Sequence, residues 1–308
     1  MLKFNNKVLK VNDKWLKSED IPPLPPLPDL PRATIRLLYR NGVTPTFKYG
    51  TGVQISQYPN IWDLTCDYTR DLYRWDYLLE GHTSLLAVIA ANPIDSVLGA
   101  YYKSMKYMFS GCTSLTSVNL FNTYYTNDVE GMFYGCSSLP YVPLFNTYNI
   151  TNMAEMFNGC SSLTSVPLFN TWQVTNMKGM FDGCSSLNTV PVFKTSKVTS
   201  MIRMFNGCSS LTEVPLFDMS KLLAMSSMFK DCISLTNIPS ITTPKVTSWD
   251  DLFNGCINVE SGALDLYQYM KSIMSSDYGR SHNRTFRNCG SNTQTGSAEL
   301  AQIPDDWK

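Results

Sequence analysis

Seven cysteines stand at equal intervals in this chain: Cys112, Cys136, Cys160, Cys184, Cys208, Cys232 and Cys256, with 24 residues from each to the next. A row of thiols could form disulfides, bind a metal or act as nucleophiles. Stacked coils would bring successive sulfurs to roughly 5 Å, so a disulfide is geometrically thinkable. A metal site is poorly served, because there is no Cys-x-x-Cys pair and there are two histidines in all, His82 and His282. Neither histidine has a visible nucleophile partner. Asp250-Asp251 and Asp305-Asp306 are adjacent pairs whose side chains diverge on a strand or helix. The remaining reading is a buried ladder in which thiols pack as small hydrophobes and bond to loop carbonyls. His82 and Cys289 occupy the same slot in degenerate copies of the repeat. The expectation is a non-enzymatic protein with no metal and no cofactor.

The residues around each cysteine say what positions it. Three places before it stands Phe109, Phe133, Phe157, Phe181, Phe205, Phe229 or Phe253. Four before it is Met in six repeats, and seven before it is Met in five. Three after it comes Leu, with Val259 in the last repeat, and six after it comes Val, with Ile238 as a variant. In VTNMKGMFDGC the i, i+3, i+4 spacing of Met177, Met180 and Phe181 predicts one face of a short helix. Thr175 would cap its start and Gly183 would take the left-handed position at its end. The following SLTSVPLF predicts a short strand ending near its proline, which cannot donate to a ladder. The helix spacing also places eleven of the fifteen methionines in the core.

A unit of this length cannot cover its own apolar side, but stacked copies can. A period of 24 residues therefore predicts a solenoid of the α/β class, each coil a short strand plus a short helix. LLEGHTSLLAV at Leu78–Val88 and TFRNCG at Thr285–Gly290 are atypical end coils. About nine coils give a stack roughly 40 Å long.

The chain has 308 residues, 44% hydrophobic and 16% charged, with a formal net charge of +0. No basic field is available for nucleic acid or an anionic membrane. No stretch approaches the roughly 20 apolar residues of a membrane span. The first residues lack the apolar core of a secretory signal, so a chain made and kept in a cytoplasm is expected. Four segments follow. Residues 1–20 form a small β-element around Asn5-Asn6 and Asn12-Asp13. Residues 21–32, with IPPLPPLPDLP, form a stiff polyproline spacer. Residues 33–77 form a β cap with a turn at Asn41-Gly42 and hold Cys66, which is off the ladder. Residues 78–308 form the solenoid. A helix is expected from Leu264 to Met274 in the insertion at 264–294.

The phrase NMxxMFxGCSSLTSVPLFNT resembles the leucine-rich repeats of BspA-like surface proteins and the related repeats of mycoplasma surface lipoproteins. That resemblance covers about residues 78–304 and implies a leucine-rich-repeat-like parallel solenoid, adhesion to host surfaces, and no catalytic residues. The flanks TIRLLYRNGVTPTF, NIWDLT and LAQIPDDWK are similar to fibre and appendage proteins of phages of gut Bacteroidales. This second resemblance implies a virion subunit, oligomeric, attached to other virion proteins through residues 1–31.

Binding residues must lie outside the constant core. Twelve and thirteen places after the cysteines the chain varies, giving Tyr124, Tyr125, Tyr148 and Trp172 in the early coils and lysines later. Aromatic rings beside asparagines suit a glycan or a protein patch. The expected function is host-surface binding by a phage appendage. The alternatives are a bacterial surface adhesin and, less favoured, a hydrolase of surface glycans.

Overall fold

A computed structural model describes residues 9–11, 14–16, 34–55, 58–65, 75–92, 104–119, 123–213, 216–274 and 280–308. The proline spacer, Cys66 and the Asn5-Asn6 turn lie outside the described residues. Near the N-terminus β1 (Leu9–Val11) and β2 (Lys14–Leu16) pair antiparallel, and the Asn12-Asp13 turn signal lies outside the described residues. A second sheet contains β3 (Thr34–Tyr39), β4 (Thr51–Ile55), β5 (Tyr58–Thr65), β6 (Leu85–Asn92) and β7 (Ser117–Val118), in the order β4-β5-β3-β6-β7. Asn41-Gly42 does turn, with Val43 N–H donating to Arg40 O and Gly42 at φ 78°. It does not close a two-strand hairpin, however: β3 pairs with β5 and β6, and β4 pairs with β5. Arg36 on β3 is buried and forks onto Asp63 of β5 at 2.6 and 2.5 Å, which fixes that register. β7 joins β6 in parallel, so this sheet runs directly into the first coils.

From Trp75 onward the chain builds a solenoid-like stack of repeats, but the coil differs from the sequence expectation. The run expected as a helix contains none. In most coils the N–H groups seven, five, three and one places before the cysteine donate to the next coil. Met177, Gly179, Phe181 and Gly183 reach the carbonyls of Ser200, Ile202, Met204 and Asn206 at 2.7–3.0 Å. The alternate N–H groups close local turns, as in Met180 to Met177 and Cys184 to Phe181. An α-helix would point every N–H along its own axis. Here every second one leaves sideways, which requires a left-handed residue within the run. That residue lies five places before the cysteine slot: Tyr77, Tyr107, Gly131, Glu155, Gly179, Arg203, Ser227, Asp251 and Arg284 all have φ between 51° and 59°. The i, i+3, i+4 residues still face inward, and Met177, Met180 and Phe181 are fully buried. Thr175 does not cap a helix; its hydroxyl donates to Thr151 O of the preceding coil. Gly183 takes the expected left-handed conformation, at φ 75°.

The short strand after the cysteine is also revised. It exists as the two-residue β7, and in the later described coils SLTSVPLF is irregular. The proline lacks a donor, and single bonds such as Thr164 N–H to Pro140 O hold this stretch to its neighbour. Parallel bridges occur instead eight places before the cysteine, from Ser104↔Asp128 through Ser200↔Ala224.

The stack has two different ends. At the start, β6 pairs with β3. At the finish, α1 (Ala263–Met274) starts within one residue of the expected helix, and α2 (Gln294–Ala301) follows. Phe286 N–H, in the position that donates to a neighbouring coil elsewhere, donates to Trp307 O at 2.9 Å. Trp307 is buried, packs edge-on against Tyr267, and lies flat on His282 with ring centroids 4.0 Å apart. Between these ends runs one core, with Phe rings stacked 5.0–5.7 Å apart from Phe109 through Phe253. Stacked burial of this apolar row is the main stabilising term.

Candidate functional site

The cysteine ladder is placed where the spacing puts it. Cys112, Cys136, Cys160, Cys184, Cys208, Cys232, Cys256 and Cys289 are all buried and none is in a disulfide. From Cys136 to Cys256 each Sγ donates to the carbonyl of the phenylalanine one coil back, at 2.9–3.1 Å; Cys112 uses Leu79 O instead. Burial pushes the Cys112 and Cys160 thiols up to about 12, so the reactive thiolate is suppressed. His82 fills the cysteine slot of the first coil. Its Nδ1 shares a hydrogen bond with Tyr39 Oη at 2.6 Å, Phe47 stacks on it, and burial lowers its pKa.

The two adjacent aspartate pairs are also engaged. Asp250 accepts from Ser281 Oγ and Asn283 N, while Asp251 pairs with Arg284 at 2.7 Å. Asp305 pairs with Lys308. No group of three or more His, Cys, Asp and Glu able to hold a metal occurs among the described residues.

The exit-loop aromatics lie outside the core. Tyr124 and Tyr148 are 45% and 48% exposed, while Tyr125 and Trp172 are partly covered. They form two pairs: Tyr124 meets Tyr125 edge-on at 5.0 Å, and Tyr148 meets Trp172 at 5.4 Å. Lys197 sits over the Trp172 ring at 4.7 Å and donates to Gln173 Oε1. Asn146 and Asn170 brace this row by accepting from the N–H of Tyr148 and Trp172, and Asn149 donates to Tyr124 O.

The repeat breaks at the second pair. Thr123, Thr171 and Thr195 each donate across to the next coil, at 2.6–2.9 Å. Thr147, in the same row, is buried and makes no such bond, and Trp172 Nε1 is also buried without a partner. Two unsatisfied polar atoms in one corner are unusual for a repeat otherwise fully bonded there.

A second aromatic patch was not singled out in the sequence. Tyr77 stacks on Tyr107 at 5.3 Å, and Tyr107 meets Tyr134 at 6.3 Å. Tyr107 lies across Gly131 and donates to Glu130 and to Glu155, two coils further on. Lys106 bridges Asp128 and Glu130 at 3.1 and 2.9 Å, and Asn152 donates to both carboxylates. Burial would raise the Glu130 pKa, but the bond and charge of Lys106 with the bonds from Asn152 and Tyr107 together outweigh it, and the net shift is downward. The sequence did carry a signal: tyrosine at Tyr77 and Tyr107, in a position where Gly131 and Gly179 stand in two later coils. Its meaning needed the left-handed backbone that the helix reading concealed.

Comparison with known proteins follows the repeat. The family described as "Mycoplasma protein of unknown function, DUF285" matches residues 69–166, 103–189 and 164–266, which together span more than half of the chain. No curated protein matches. Among solved structures, the T. pallidum leucine-rich repeat protein TpLRR is 20% identical, covering 62% of this chain and 90% of its own, with a TM-score of 0.41. A leucine-rich repeat protein from Eubacterium ventriosum ATCC 27560 is 23% identical, covering 50% of this chain and 40% of its own, with a TM-score of 0.33. The likeness of the flanks to phage appendage proteins has no counterpart in these comparisons. By its repeat, this chain belongs to the family described as "Mycoplasma protein of unknown function, DUF285".

Proposed function

We propose that this chain is a surface-displayed interaction protein that acts by binding, with the exit-loop aromatics as part of its contact face. The observation that carries this reading is the contrast between rows. The coils repeat a Phe, Met and Cys interior with few exceptions, whereas the exit-loop rows change from coil to coil and gather their aromatics in the early ones. A protein under purely structural demands would repeat both. Tyr148 and Trp172 offer ring faces and edges beside the exposed Asn146 and Asn170, a combination suited to a glycan or a polar protein patch. The buried, protonated thiols and the hydrogen-bonded His82 fit binding better than catalysis. The mycoplasma-type repeat fits the adhesin form of this reading.

The test is binding of the full chain to a glycan array and to bacterial envelope fractions. Tyr148→Ala and Trp172→Ala should each weaken binding by about tenfold or more while leaving the fold intact. Undiminished binding by both would reject this face.

A second reading, a phage appendage anchored to other virion proteins through residues 1–31, rests on the flanking segments TIRLLYRNGVTPTF, NIWDLT and LAQIPDDWK. Peptide mass spectrometry of purified particles and of host envelopes separates the two. The chain in particles favours the appendage; the chain in envelopes alone favours the adhesin.

A further inference from the structure

Eight places after the cysteine, four consecutive coils expose an aliphatic side chain: Leu144 at 58%, Leu168 at 61%, Val192 at 62% and Leu216 at 65%. The exposure follows from local geometry. Phe145, Phe169 and Phe193, the next residues, are buried and stack on the core, so in this extended stretch the residue before each must point out. With one rung per coil, the four form a continuous apolar strip of roughly 400 Å², the size at which a surface patch marks a contact site. Among the described residues the strip ends at Leu216: the next coil has Ser240, an exposed polar residue, in this position.

We propose that the strip is the centre of a dimer interface, occupied by a second copy of this chain lying antiparallel across it. The evidence is in the exposed rows on either side. Along the chain, one flank is Tyr141, Ser165, Thr189 and Glu213, and the other is Asn146, Asn170, Lys194 and Asp218. A two-fold axis crossing the strip between Leu168 and Val192 sets each row against its own reverse. Leu144 then meets the partner's Leu216, and Leu168 the partner's Val192. On the flanks, Tyr141 faces the partner's Glu213, Asn146 the partner's Asp218, and Asn170 the partner's Lys194. No pair carries like charges. The alternative two-fold, with its axis along the strip, sets Glu213 against the partner's Asp218 and repels. An equal rung spacing on both copies lets the aliphatic rows match along their length. The flanks extend the footprint toward the roughly 800 Å² per partner of a stable interface, and a chain of net charge +0 has little overall self-repulsion to overcome.

The test uses the full chain. Sedimentation equilibrium from about 1 to about 100 µM should show a monomer–dimer equilibrium. Leu168→Lys with Val192→Lys should raise the dissociation constant by about 100-fold or more, since it buries like charges at the centre, with circular dichroism unchanged and with the same melting temperature at concentrations where both chains are monomeric. Oxidising a mixture of Leu168→Cys and Val192→Cys chains should give the mixed disulfide dimer, and either alone should not. A monomer throughout the range, or a dimer indifferent to the lysines, overturns the interface. A disulfide dimer from Leu168→Cys alone overturns the antiparallel arrangement. If the lysine variants instead lose envelope binding while the unsubstituted chain stays monomeric, the strip contacts a different protein and the proposal fails.

Discussion

The carbonyl oxygen of Phe157 accepts two hydrogen bonds, from Cys160 N and from Cys184 Sγ, each at 3.0 Å. Cys184→Ala removes one of them together with a buried sulfur, and should cost about 1–2 kcal/mol of stability in urea unfolding. The same burial keeps these thiols protonated, so maleimide should label them at neutral pH only as fast as the chain unfolds. His82 gives a pH signature of definite sign. Its folded-state pKa lies below the ordinary value of 6.5, because burial disfavours the charged ring. The neutral ring's contribution is therefore fully present above pH 6.5 and is lost as pH falls below it. The urea midpoint should drop on acidification through that window, and the drop should shrink in His82→Phe. A midpoint as steep in the variant would place the effect elsewhere.

The coil is the next scale, and its defining feature is the left-handed residue five places before the cysteine. Glycine is free of strain there, yet seven of the nine coils carry a side chain, each costing about 1 kcal/mol. Gly131 and Gly179 allow a controlled comparison. A Cβ at Gly131 would run into the Tyr107 ring, whereas at Gly179 its nearest neighbour is Glu155 Cγ at 3.3 Å. Gly131→Ala should destabilise by about 1–2 kcal/mol more than Gly179→Ala, because it must displace Tyr107 from Glu130 and Glu155. Combining it with Tyr107→Ala should bring the penalty of Gly131→Ala down to that of Gly179→Ala, which a double-mutant cycle by thermal unfolding would measure.

For the whole molecule the decisive contacts are at the ends. A stack of identical coils presents an unsatisfied face at its last turn, and here the chain supplies its own closure through Trp307. Trp307→Ala should cost about 3–4 kcal/mol, and removal of residues 300–308 should broaden the thermal transition as the last coils fray first. A truncated chain melting as sharply and as high as the whole one would show that this segment is no cap. No helix among the described residues is long and apolar enough to cross a membrane.

Much of this was legible in the sequence, because a repeat states its interior many times. The Phe, Met and Cys positions face the core as their periodicity requires, α1 lies where the insertion reads as helical, and the exit-loop aromatics are outside. The local conformation was not legible. The spacing i, i+3, i+4 is met by a helix and also by a run of turns whose alternate N–H groups bond to the next coil. Sequence periodicity reports which side chains face inward but not where the backbone hydrogen bonds go. That choice belongs to the stack: once a neighbouring coil offers carbonyls at the right height, lateral bonds replace the helical ones. The two aromatic patches, the corner around Thr147 and Trp172, and the line from Leu144 to Leu216 arise in the same way. Apart from the adjacent Tyr124 and Tyr125, they join residues at least about one coil apart in the chain, and only the packing of coil on coil makes them neighbours.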